Sequence, residues 1–87
     1  MHYRNGRVAQ NGDKVIQLES SSGKIVGAGT LINAVPGNDY CNGHIVTVHP
    51  NYSSAQVVGA CMCDCLHIED VEAMLKEKGL DKRPASK

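Results

Sequence analysis

Polar and apolar positions alternate over Lys14-Val15-Ile16-Gln17-Leu18-Glu19, with Ile16 and Leu18 on one face and Gln17 and Glu19 on the other. That two-residue period marks a half-buried strand. Three more strands are predicted further on. Lys24 to Asn33 is apolar on both faces and carries Gly27 and Gly29 on one of them, a sign of bending, bulging or close backbone approach. His44 to His49 sets Ile45 and Thr47 against Val46 and Val48, and Gln56 to Cys61 reads as the fourth strand. The period then changes. Ile68, Val71, Met74 and Leu75 form one apolar stripe, which predicts a helix over about 67–78. Glu69, Asp70 and Glu72 lie in its first turns and Lys76 and Lys78 in its last, matching the helix dipole. Gly79-Leu80 fits a Schellman stop with Leu80 packed back on Leu75, and 81–87 reads as a polar tail.

Turn chemistry separates these elements. Asn5-Gly6 and Asn11-Gly12 suit the positive φ angles of type I′ turns, so a tight hairpin is expected at the start of the chain. Ser20-Ser21-Ser22-Gly23 is a polar turn, and Val35 to Gly43 is the longest turn-rich stretch. Short, closely spaced strands with internal glycines and one terminal helix predict a mainly β (α+β) fold. The expected form is a small open barrel of four to five antiparallel strands with a C-terminal helix. The 87 residues allow one core, so 1–80 is read as a single domain. Phe and Trp are absent and Tyr occurs three times, so Val, Ile, Leu, Ala and Met must build that core. A core of that kind is marginal alone, and a homo-oligomer is expected.

Nine acidic and nine basic residues cancel. Neutrality argues against a DNA or RNA polymer or an anionic membrane as partner and leaves a small anion open, which needs only a local cluster of positive charge. No apolar run approaches the ~18 residues of a membrane span and the opening residues do not read as a signal peptide, so a cytoplasmic protein is expected. There the four Cys should be thiols or metal ligands.

Tyr3-Arg4-Asn5-Gly6, a short spacer and then Gly12-Asp13-x-Val15 resembles the opening of a class of small phage-type proteins with SH3-like barrels. Pro36-Gly37-Asn38-Asp39-Tyr40-Cys41-Asn42-Gly43 and Cys65-Leu66-His67-Ile68-Glu69-Asp70 are similar to the same group. The resemblance covers most of the chain and implies an SH3-like form for the barrel. Some small phage proteins are sponges that sequester the cyclic nucleotide or cyclic ADP-ribose signals of bacterial anti-phage defence. They are typically non-enzymatic and oligomeric. The resemblance thus implies a non-enzymatic, cofactor-free sponge, placed in the bacterial host's cytoplasm if phage-encoded, with its ligand held between protomers.

The segment Asn38 to His44 concentrates amides, a carboxylate, a phenol ring, a thiol and an imidazole. Tyr40 is suited to stacking on a base, Asn38 and Asn42 to reading its edge, and backbone N–H groups near the glycines to meeting phosphate. Arg4, Arg7 and Lys24 would supply positive charge if the fold brings them near. The expected ligand set is Tyr3, Arg4, Asn38, Asp39, Tyr40, Asn42 and His44. The same loop also reads as a solvated turn whose Asn and Asp satisfy local backbone.

Cys61-Met62-Cys63-Asp64-Cys65-Leu66-His67 is the most unusual composition in the chain. On an extended strand its thiols would share one face, with Met62, Asp64 and Leu66 opposite. Three Cys and a His are zinc-ligand types, with Cys41 and His44 available to complete a site, but one extended strand cannot wrap adjacent ligands around one ion. The alternative is small buried hydrophobes, and no metal site is assigned. Ser22-Gly23-Lys24 lacks the phosphate-loop pattern, and Gly27-x-Gly29 lies inside a strand and fails as a dinucleotide fingerprint. Cys41 and His44 are the one plausible nucleophile pair, with no orienting third group, so no enzyme is expected. A protein-interaction module using the barrel or the Met74-bearing helix is the second functional reading, and a small zinc-bearing structural module the third.

Overall fold

A computed structural model describes residues 1–35, 42–48 and 55–85. Five strands form one antiparallel open sheet: β1 (Lys14–Leu18), β2 (Ile25–Ile32), β3 (Asn42–Val48), β4 (Ala55–Cys61) and β5 (Cys65–His67). The spatial order is β4-β3-β2-β1-β5, so a four-strand meander is completed by β5, which returns to pair with β1. One helix, α1 (Ile68–Glu77), follows directly. The small β-rich domain with a C-terminal helix expected from the patterning is the fold observed.

Alternate strand positions converge on one side of the sheet. Val15, Leu31, Ile45, Ala60 and Cys65 are buried there with Tyr3, Ala9, Ala34 and Met62 in a single cluster. Gly29 makes this packing possible. A Cβ at that position would run into the Val46 carbonyl oxygen of the neighbouring strand and lie 2.8 Å from Ile45 Cγ2, so only glycine lets β2 and β3 approach this closely. β1 has buried residues on both faces, Val15 toward the cluster and Ile16 away from it, and α1 lies against β1 and β5.

The opening segment is a hairpin, but not one of type I′. Tyr3 N–H donates to the Arg7 carbonyl (2.8 Å) and Gly6 N–H to the Tyr3 carbonyl (2.9 Å). Gly6 has φ +91°, while Asn33 is the only non-glycine with positive φ among the described residues. Asn5 therefore keeps an ordinary backbone, and the loop is a turn closed by a left-handed glycine, the three-residue hairpin form. At the second Asn-Gly it is again the glycine, Gly12 at φ +94°, that takes the left-handed angle.

Cys61 to His67 is not one extended strand. A 3-10 turn over Met62–Asp64 separates β4 from β5. The turn breaks the alternation, burying both Met62 and Cys65 while leaving Cys63 exposed. Cys61, Cys63 and Cys65 are thiols, and the buried Cys65 donates to the Cys61 carbonyl.

At the helix start, His67 Nδ1 accepts the Glu69 N–H (3.0 Å) and caps the helix. At the other end Leu80 N–H donates to the Leu75 carbonyl and Gly79 N–H to that of Lys76, with Gly79 at φ +73°. This is the expected Schellman motif. Its side chains remain open to solvent, Leu75 at 41% and Leu80 at 69% exposure.

Candidate binding cleft

The register of the sheet sets the site. Directly opposed residues in an antiparallel pair share a face, as do residues two apart on one strand. Ile32 opposes His44 and His44 opposes Gly59, while Asn42 opposes Cys61. These side chains lie on the face away from the core, since Gly43, Ile45 and Thr47 between them are buried. Just past β2 the chain turns at Asn33, held at φ 57°. Asn tolerates that left-handed angle better than other residues with a side chain.

A cleft of about 520 Å³ is thereby formed, lined by Asn33, Asn42, Gly43, His44, Gly59, Ala60 and Cys61. Its side-chain chemistry is two amides, an imidazole and a thiol, with no Asp, Glu, Lys or Arg in the lining. Gly59 leaves the floor flat: a Cβ built there meets nothing within 4 Å. The arrangement offers hydrogen-bond donors and acceptors around a small apolar floor, which suits a planar polar ring.

Of the expected ligand residues, Asn42 and His44 come together in this cleft. Asn38, Asp39 and Tyr40 lie outside the described residues, as does Cys41. Tyr3 and Arg4 do not line the cleft; they lie beside β5, where the Arg4 N–H donates to the Cys65 carbonyl (3.0 Å). Tyr3 is 2% exposed, its hydroxyl donates to Asp13 Oδ2 (2.7 Å) and its ring meets His67 edge-on at 6.2 Å. Burial, reinforced by Asp13, pushes its phenol well above the ordinary tyrosine range. Tyr3 is a core residue. Arg4 donates to the Cys63 carbonyl and pairs with Asp64 (3.0 Å), so its guanidinium ties the opening hairpin to the 3-10 turn. Arg7 pairs with Asp70 and Glu69, both at 3.1 Å, and Asn5 donates to Asp70. The Asn5 hydrogen bond and then Arg7 hold the Asp70 carboxyl below its usual range. The two arginines thus act as struts for β5 and α1. Lys24 precedes β2 at the end opposite Asn33.

Asn33 and Gly59 line the cleft and Lys14 lies on the adjoining row, and none of the three is among the residues expected from the sequence. Asn33 was read only as the end of a strand, and its left-handed angle has no sequence signal beyond being Asn. Lys14 opposes Thr30, Thr30 opposes Val46 and Val46 opposes Val57, so Lys14 lies in the row adjoining Ile32, His44 and Gly59 on the same face. It stands two strands from His44 and outside the cleft lining.

Burial, followed by the nearby Asp64 charge, pushes the Cys65 thiol up to about 11, which keeps it protonated and inert at neutral pH. His67 is committed to capping α1, with its Nε2 3.6 Å from Asp13. Among the described residues no group of three or more His, Cys, Asp or Glu is arranged to hold a metal ion. No helix among them is long and apolar enough to cross a membrane. No protein-family model, characterised protein or solved structure matches the chain.

Proposed function

We propose that this domain is a non-enzymatic binding protein that sequesters a nucleotide signal, a cyclic dinucleotide or cyclic ADP-ribose isomer, in the cleft between Asn33, Asn42, His44 and Gly59. The observation that carries the reading is the cleft itself. It has about 520 Å³ of space, within the ~300–1,000 Å³ usual for small-ligand sites. Asn33 and Asn42 offer amide edges to a base, His44 adds a donor or acceptor, and the bare Gly59 backbone leaves room for a ring. Lys14, one row away and two strands over from His44 on the same face, is a cation for a phosphate that reaches beyond the cleft. The buried, protonated Cys65 thiol supports retention over covalent chemistry at that cysteine. The opening and the Pro36 to Gly43 segment resemble small phage-type barrel proteins, a group in which some members are sponges, and this supports the ligand class.

Native mass spectrometry of the protein, alone and with a panel of cyclic dinucleotides and cyclic ADP-ribose isomers, tests this. The expected result is stoichiometric retention of one class, released intact on denaturation. His44→Ala and Gly59→Val should weaken retention at least about tenfold while circular dichroism stays that of wild type. Hydrolysed ligand would end the non-enzymatic reading. Retention unchanged in both variants would remove the cleft as its site.

A second reading is favoured by α1. It has no buried residue, and Met74 (47%), Leu75 (41%) and Leu80 (69%) present apolar surface to solvent. If no nucleotide is retained, this surface makes a protein-interaction module the better account.

A further inference from the structure

The charges of this molecule are segregated. Between Lys24 and Asp64 the only Asp, Glu, Lys or Arg is Asp39. β2, β3 and β4 all fall within that stretch, so three adjoining strands of the sheet carry no Asp, Glu, Lys or Arg. The same half of the molecule holds Ile25, Val26, Val35 and Val57, between 46% and 65% exposed. β4 forms its border. Among the described residues β4 pairs with β3 and with no other strand. Its seven residues, Ala55-Gln56-Val57-Val58-Gly59-Ala60-Cys61, include no charge and no proline.

Folded proteins normally guard an edge strand with lysine, proline, a bulge or a cover, because a bare row of N–H and C=O groups recruits another strand. β4 has neither lysine nor proline, and its pairing with β3 runs from Val48↔Ala55 to Asn42↔Cys61 without a register shift. An edge strand without charge meets no like-charge repulsion from an identical strand of a second copy. What it matches is itself.

We infer that β4 is the seam at which a second copy of this chain adds, antiparallel about a two-fold axis, so that two sheets run on as one and each cleft is walled from both sides. The inference rests on the reading of the cleft as the ligand site, because Gly59, Ala60 and Cys61 are at once β4 and cleft lining. A two-fold pairing centred on the middle of β4 brings Val57 of one copy beside Gly59 of the other. The exposed Val57 then covers the flat floor of its partner's cleft. An isologous contact of this kind closes on itself and stops at two copies. Main-chain hydrogen bonds give the affinity, as in strand addition generally.

Sedimentation velocity from about 1 to 200 µM, run on wild type, Val57→Lys, Ala55→Asp and His44→Ala, tests the proposal. Wild type is expected to sediment as twice 9.3 kDa. Val57→Lys and Ala55→Asp, both at exposed positions, should weaken self-association at least about 100-fold, equivalent to about 2.7 kcal/mol. Circular dichroism identifies any variant that fails to fold, and two independent edge charges keep the test decisive. His44→Ala should remain a dimer. Retention of a cyclic nucleotide, measured in parallel, should fall in the two edge variants. A wild type that stays monomeric across the range overturns the inference and leaves β4 to a different protein. Edge variants that still dimerise overturn the seam. A dimer that retains no nucleotide upholds the seam while removing the ligand reading, and a monomer that retains nucleotide does the reverse.

Discussion

Replacing Gly29 with alanine is the sharpest test of how this sheet is held together. The added methyl would meet the Val46 carbonyl oxygen and lie 2.8 Å from Ile45 Cγ2. Overpacking a core ordinarily costs about 1–3 kcal/mol because side chains shift aside. Here the main obstacle is the backbone of the paired strand, which moves only if β2 and β3 separate. Separation around Gly29↔Thr47 and Thr30↔Val46 costs about two ladder hydrogen bonds, at roughly 1 kcal/mol net each. The sum is about 3–5 kcal/mol, against roughly 4–13 kcal/mol of total stability for 87 residues. Gly59→Ala is the control, since its Cβ meets nothing within 4 Å and the change should stay within about 0.5 kcal/mol. Urea unfolding followed by circular dichroism reads both. A Gly29→Ala protein within about 1 kcal/mol of wild type would refute the reasoning.

Tyr3→Phe removes the hydroxyl that donates to Asp13, while Asp13 Oδ2 keeps the Gln10 N–H at 3.0 Å. A loss of about 1–2 kcal/mol is expected in the same unfolding assay, and an unchanged midpoint would show that the bond contributes nothing net. Alkali should destabilise the fold. Cys65 has an ordinary value of 9.0 and about 11 when folded, so the unfolded chain gives up its proton first. The stabilisation is therefore complete below pH 9 and is lost as pH rises from 9 to about 11, with Tyr3, shifted the same way, adding its share above pH 10. Melting temperature measured against pH should fall through that window; a flat profile would contradict the burial of both groups.

Local chemistry carried much of the fold into the linear sequence. The alternation over Lys14 to Glu19, the doubly apolar run that became β2, and the stripe, acidic start and Gly79 stop of α1 need only neighbours along the chain to be read. Each element obeys a short-range rule of periodicity or capping, so strand order aside, its place was legible. The Cys61 to His67 segment was not. Its alternating thiols look extended, yet the chain must cross from the β4 edge to β1, and the 3-10 turn that accomplishes this buries Met62 and Cys65 together.

The candidate site divides along the same line. Residue types alone pointed to Asn42 and His44, because amides and an imidazole near a turn are chemistry-bearing wherever they fall. That Tyr3 would be spent in the core on Asp13, ten positions away, and Arg4 and Arg7 on Asp64, Glu69 and Asp70, 60 to 63 positions away, was decided by the fold that brings these partners together. Lys14 and Gly59 joined the cleft face only through register, which sets residues of separate strands side by side, and Asn33 through the left-handed turn that ends β2. Sequence by itself determined which segments fold and how each ends. Tertiary structure decided which polar groups are consumed by the scaffold and which face outward together, because that depends on long-range pairing that no local pattern encodes.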